Sequence, residues 1–197
     1  MRLFTKSLCV ALILTMLFSV LPFEASCQEI RKDVFRLHIL ANSDTDKDQN
    51  LKLKVRDAVL EYTEKLYKNS NTKEEAEILT SKNLQNIANL AKQVIVDNGY
   101  NYNVTCQIED VYFNTRTYEN VTMPSGTYRA LQIKIGDAKG KNWWCVMYPS
   151  LCVGASTDYK ALDDKLNDKE YDTLVNEKTQ YKFKIVEIYE RIVSFFL

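Results

Sequence analysis

The apolar positions of the chain change period as it runs, and each change marks an element. Ile30 to Leu40 reads as a strand, with Phe35, Leu37 and Ile39 on one face of an alternating pattern. The stretch ANSDTD then turns the chain. Asp46 suits a helix N-cap, and Gln49 stands where a capping box would reach back. Leu51, Val55, Ala58, Tyr62 and Leu66 recur at helical spacing and predict a helix over 47–67. After KNSNT, Thr72 caps a second helix with Glu75 as its reciprocal partner. Ala76, Leu79, Ile87, Ala91 and Val94 give that helix its apolar stripe, and Thr80–Ser81 is a place to kink or split it. Gly99 is suited to a left-handed C-terminal cap.

Beyond Tyr100 the period drops to two. YNVTCQIEDVYFNTRTY, TYRALQIKIG and NWWCVMY read as strands, separated by the turns MPSG and DAKGK. Sequential strands joined this way predict hairpins or a meander. A charged helical stretch around 159–175 follows. The closing KFKIVEIYERIVSFFL would bury Ile185, Ile188, Ile192 and Phe195. The order is roughly β-α-α-β-β-β-α. It predicts an α+β fold, a mostly antiparallel sheet with helices packed on one face.

The first 27 residues follow another logic. Arg2 and Lys6 precede an apolar run from Leu8 to Phe23, and Ala25, Ser26 and Cys27 are small. That is the order of a secretory signal peptide, expected to be cleaved after Cys27 or close by. Residues 28–197 would then form a single exported domain. An uncleaved anchor is the alternative. A lipidated Cys27 is disfavoured by Glu24, where lipoprotein signals carry an apolar residue.

Composition narrows the function. Lys plus Arg and Asp plus Glu each number 26, so no concentrated basic charge points to nucleic acid. Hydrophobic residues make up 46%, enough for a packed core. Export would make Cys145 and Cys152, flanking the Pro149–Ser150 turn, a disulfide candidate. Closing so short a loop would stabilise the fold by roughly 2 kcal/mol. Cys106 reads as a buried thiol; all three thiols buried and reduced is the other arrangement.

RLHILANSDTDKDQNLKLKVRDAV holds the one histidine, His38, beside several carboxylates. Asp44, Asp46, Asp48 and Asn50 alternate as calcium ligands do. The sixth and twelfth positions, however, are Gln49 and Val55 where such a loop needs glycine and glutamate. No other metal or cofactor set stands out. A hydrolase would need His38 as base, Asp44 or Asp57 to orient it, and Ser43 as nucleophile. No nucleophile elbow surrounds Ser43, and a strand histidine among apolar neighbours reads as a hydrogen-bonded core residue. Trp143 and Trp144 must point to opposite faces of their strand, into the core or out to an interface.

RLHILANSD, DQNLKLKVRDAV, YRALQIKIGDAKGKNWWCVMYPSLC and KFKIVEI occur in colinear order. Together they resemble the stage II sporulation protein R family. The resemblance implies a non-enzymatic signal made in the forespore and secreted into the space between the two membranes. There it would activate a membrane-embedded aspartic protease of the mother cell, which processes the precursor of sporulation sigma factor E. The family supplies no contact residues to carry over. From chemistry, the expected partner surface is Asn42, Ser43 and Asp44 at the strand-to-helix junction, flanked by Arg56 and Asp57, with Trp143 and Trp144 as anchors. A purely structural Arg56–Asp44 pair holding the turn is the competing reading, and a secreted hydrolase using His38 is the competing function.

Overall fold

The computed structural model describes residues 2–118, 121–149, 166, 168–175 and 182–188. In chain order the elements are α1 (Arg2–Asp33), β1 (Phe35–Leu40), α2 (Asp46–Tyr67), α3 (Lys73–Lys82) and α4 (Leu84–Asp97). There follow β2 (Val104–Phe113), β3 (Arg116–Tyr118), β4 (Val121–Met123), β5 (Gly126–Ile135), β6 (Asn142–Tyr148) and α5 (Asp168–Val175). Residues 182–188 are also helical. The class is α+β, as the alternation of periods predicts.

Two compact units divide the chain. One comprises Lys32–Phe113 and Thr127–Asn167; the other comprises Met1–Arg31, Asn114–Gly126 and Asp168–Leu197. The first contains a four-stranded sheet in the order β2-β5-β1-β6. β1 runs parallel to β5, with Leu37 beside Leu131 and Ile39 beside Ile133. It runs antiparallel to β6, with His38 beside Trp144. The expected direct hairpin between β5 and β6 is therefore not formed, because β1 lies between them. Pairing β1 on both edges places its alternating Phe35, Leu37 and Ile39 in the centre of the core, where burial is greatest.

The helices cover that apolar face. Leu51, Val55 and Val59 of α2 and Ile87, Ala91 and Ile95 of α4 join the same core. The α2 stripe is rotated from the predicted one: Val59 and Tyr67 are buried, while Ala58, Tyr62 and Leu66 are half-buried. Thr72 caps α3 by accepting from the Glu75 amide at 3.2 Å. The Glu75 carboxylate accepts from the Asn71 amide, one residue before the cap. The expected break in the second helix occurs at Asn83. Gly99 takes φ +82, the left-handed cap its sequence context requires.

In the other unit β3 and β4 pair antiparallel. Two sequence expectations change. Ile30–Asp33 is helical, since Cys27 and Ile30, three residues apart, form one buried face of α1. The final helical segment buries Phe183 and Val186 and leaves Ile188 53% exposed, so its stripe is shifted by two residues. Ile192, Phe195 and residues 159–165 of the expected charged helix lie outside the described residues. Among the described residues, no helix is long and apolar enough to cross a membrane.

Candidate functional site: a welded loop pair

The junction after β1 is shaped by the sheet order. The connection from β5 to β6, residues 136–141, must pass over the end of β1, a lateral distance of about 10 Å for two strand spacings. The chain leaving β1 at 41–46 therefore meets that turn at close range. The Gly140 amide donates to the Ala41 carbonyl at 2.9 Å, and the Lys139 amide to the Asn42 carbonyl at 3.2 Å. A Cβ on Gly140 would sit 2.2 Å from the Ser43 carbonyl oxygen, so only glycine fits. Gly136 takes φ +58 with the Asn42 amide group against it. Ala138 adopts φ 53, a left-handed conformation that costs a non-glycine residue about 1 kcal/mol.

Side chains complete the weld. The Asp137 amide donates to Asn42 Oδ1 at 3.0 Å. The Lys141 amide donates to Asp44 Oδ1 at 2.6 Å. Lys52 reaches up from α2 to the Lys141 carbonyl at 2.9 Å and to Gln49 Oε1 at 2.6 Å. Burial lowers the pKa of Lys52, with Asp44 pulling the other way. Gln49 donates to the Ser43 carbonyl at 2.9 Å instead of closing a capping box.

Asp48, for which the sequence suggests only an incomplete calcium pattern, is the hub. Its Oδ2 accepts from Asn42 Nδ2 at 2.8 Å and from Ser43 Oγ at 2.6 Å. Thr45, not the expected Asp46, caps α2. Thr45 is the residue whose backbone is extended and whose hydroxyl faces the Asp48 amide, 3.4 Å away. Burial alone would raise the Asp48 pKa. Hydrogen bonds from Ser43, Asn42, Tyr102 and Thr45 outweigh it and hold the carboxyl below its ordinary value. An aspartate three residues into a helix, after Ser and Thr, is the sequence signal that marks such a hub.

Arg56 does not pair with Asp44. Its guanidinium lies 4.3 Å from the centroid of the Trp143 ring, and its Nη2 is 2.6 Å from Asp57 Oδ1. The Asp57 side chain stays 59% exposed, so the pair reaches solvent. Asn42, Ser43 and Asp44 thus belong to the junction, while Arg56 and Asp57 lie further along α2, where Arg56 meets Trp143 of β6. Trp144 does not join them. It stands on the opposite face of the sheet, as alternation requires, in edge contact with His38 and Phe113.

His38 lies on that opposite face and is buried. Its Nδ1 is 3.2 Å from Gln132 Nε2, and its ring meets the edges of Phe113 and Trp144. Burial pushes its pKa below the ordinary value, against smaller opposing pulls from Asn142 and Glu109. Ser43, Asp44 and Asp57, the partners a hydrolase would require, are engaged with Asp48, Lys141 and Arg56 instead. Arg36, two residues before His38 on β1 and so on the same face, is fully buried with its guanidinium 4.0 Å from the Phe113 centroid and 4.7 Å from that of Tyr128. Cys106 is a half-buried free thiol whose pKa burial pushes up to about 12. Cys145 is buried in β6; Cys152, its expected partner, lies outside the described residues.

Residues 31–158 match the family described as stage II sporulation protein R. The chain belongs to the stage II sporulation protein R family. The match takes in β1, the welded loops and β6, and leaves the C-terminal KFKIVEI block outside it. The chain is 36% identical over 149 residues to the stage II sporulation protein R of Bacillus subtilis strain 168, covering 76% of this chain and 66% of that relative. The matched span is thus just under two thirds of the relative's length. No solved structure matches the chain.

Proposed function

We propose that this sporulation-family protein is an exported signal. It is made in the forespore and secreted into the space between the two membranes. There it activates a membrane-embedded aspartic protease of the mother cell, which then processes the precursor of sigma factor E. The observation that carries the reading is family membership across 31–158, a span that includes the whole welded junction.

Activation requires that the ligand bind the protease's active arrangement more tightly than its inactive one. A surface held rigid before contact loses little freedom on docking, so more of its contact energy appears as affinity. The junction fits that demand. Asp44 and Asp57 are exposed, Arg56 stacks on Trp143 beside Asp57, and Asn42 and Ser43 turn their side chains inward to hold the loop. Asp44, Arg56, Asp57 and Trp143 are the proposed contacts; Asn42, Ser43 and Asp48 position them. Trp144 belongs to the other face and packs there.

The test is reconstitution in a non-sporulating host with the protease and the sigma factor precursor. Precursor cleavage is expected only when this chain is present and carries its export segment. Cleavage that proceeds equally without the chain would end the proposal.

A further inference from the structure

Helix α1 changes character at Pro22, the one proline inside it. Before it, Phe4, Leu8, Val10, Phe18 and Leu21 are exposed, Phe18 by 75%. After it, Phe23, Glu24 and Ser26 are buried, and Cys27 and Ile30 have no exposed area. Proline lacks the amide that would continue the ladder, so it is a natural mechanical boundary.

The buried part is tied into its own unit by several kinds of contact. The Phe23 ring meets Phe183 edge-on, centroids 5.0 Å apart, and the Lys182 ammonium lies 5.5 Å from the Phe23 centroid. Glu24 and Arg31 form an ion pair in which both side chains are more than nine-tenths buried. Arg31 also donates to the Ser125 carbonyl at 2.8 Å. A Cβ on Gly126 would fall 2.6 Å from Arg31 Cδ, so the strand start is shaped around that side chain. Gly126 takes φ +135, a conformation glycine alone adopts readily.

Of the small residues where the signal-peptide pattern puts the cut, Ser26 and Cys27 are buried within this packed stretch and Ala25 faces solvent. We infer that Phe23–Arg31 is a permanent part of the folded protein and that the working molecule is not processed at Cys27. Any removal of the leader occurs before Phe23. Cutting after Cys27 would strip Phe23 from Phe183 and take from Arg31 the carboxylate it is buried against, a loss that buried ion pairs tolerate poorly. The same burial keeps Cys27 from serving as a lipid attachment point. The processing part of this inference rests on the export proposed above; the packing part does not.

Three measurements test it, beginning with the full-length chain. Native proteolysis should cut within Phe4–Leu21 and spare the bonds from Phe23 to Arg31. Cleavage inside 23–31 under native conditions overturns the inference, whether or not the chain is exported. Alkylation of Cys27, located by peptide mass, should be more than about ten-fold slower in the native protein than in denaturant. Equal rates overturn it. The intact mass of chain recovered outside the cytoplasm should correspond to an N-terminus at or before Phe23, and a mass starting at Gln28 overturns it. Failure to find any exported chain sinks the export reading and leaves the packing result to decide this one.

Discussion

The two regions flanking β1 satisfy their polar groups in opposite ways. At the welded junction, carboxylates and amides from two loops bond one another at the surface, around Asp48. On the far face of the sheet, Arg36 and His38 are buried among the rings of Phe113, Tyr128 and Trp144. Both regions are rich in side chains that catalyse reactions elsewhere, yet their surroundings differ. The junction offers exposed charge on a fixed frame, which suits recognition. The aromatic face holds an imidazole packed out of reach, with burial favouring its neutral form, which suits stability. Residue type alone does not separate the two uses; burial and partners do.

The sharpest way to break the contrast is Gly140→Ala. The new methyl meets backbone oxygen, which cannot move aside like a side chain, so the loop pair must separate. A loss of about 3 kcal/mol is expected from overpacking of this kind, read as a lowered unfolding midpoint. A midpoint shift below about 1 kcal/mol would mean that the turn yields without cost.

Next comes Asp48→Asn, which keeps the shape and removes the charge that Asn42 and Ser43 address. A loss of about 2 kcal/mol at neutral pH is expected. The pH dependence gives the sign. Because the folded pKa of Asp48 is depressed, its stabilisation is present above the unfolded value of about 3.9 and is lost as pH falls through the lower folded value. The stability curves of the wild type and the Asp48→Asn variant should converge in acid. Curves that stay parallel down to the lowest measurable pH would remove the carboxylate from its role.

His38→Gln probes the other region. The folded pKa of His38 is lowered by burial, so the unfolded chain takes up its proton first. Its contribution to stability is intact above about 6.5 and is eroded as pH falls below that value. The Gln variant should lose this portion of acid sensitivity, cost about 1 kcal/mol or less at neutral pH, and still signal. A folded His38→Gln protein that no longer signals would move attention from the junction to the aromatic face.

A similarly small stability effect is expected at the proposed contact. Arg56→Ala removes a cation–π contact worth about 1 kcal/mol and a half-exposed ion pair of little net value. If the proposed function holds, signalling should nevertheless fall strongly, as should that of Asp44→Ala. Normal precursor processing by folded, exported variants of both would exclude this surface as the contact. Thiol counting on the unreduced protein addresses the expected Cys145–Cys152 bridge: two thiols fewer than the sequence holds agree with it, and a full count removes it.

Local pattern suffices wherever a residue's neighbours in sequence are also its neighbours in space. The alternation of Phe35, Leu37 and Ile39, the Thr72 cap, the Gly99 cap and the bounds of β6 follow from period and capping chemistry within a few residues. The stripe of α2 differs by about one position from its periodicity because Lys52, Arg56 and Thr63 are buried along with its apolar residues, which only the tertiary contacts decide. The Ile30 segment departs from its pattern for a similar reason. A short apolar run is compatible with strand or helix until its packing partners are known.

Read without coordinates, the residues already establish the family, the α+β class and the set of side chains from which the junction is made. That β1 enters between β5 and β6 is settled only in three dimensions, and everything distinctive about the junction follows from that insertion. It forces the 136–141 turn across the exit of β1, makes Gly140 irreplaceable and turns Asp48 into a hub for residues contributed by the loop that precedes it. Such pairing joins positions nearly a hundred residues apart, and its free energy comes from hydrogen bonds and burial that no local window of sequence contains.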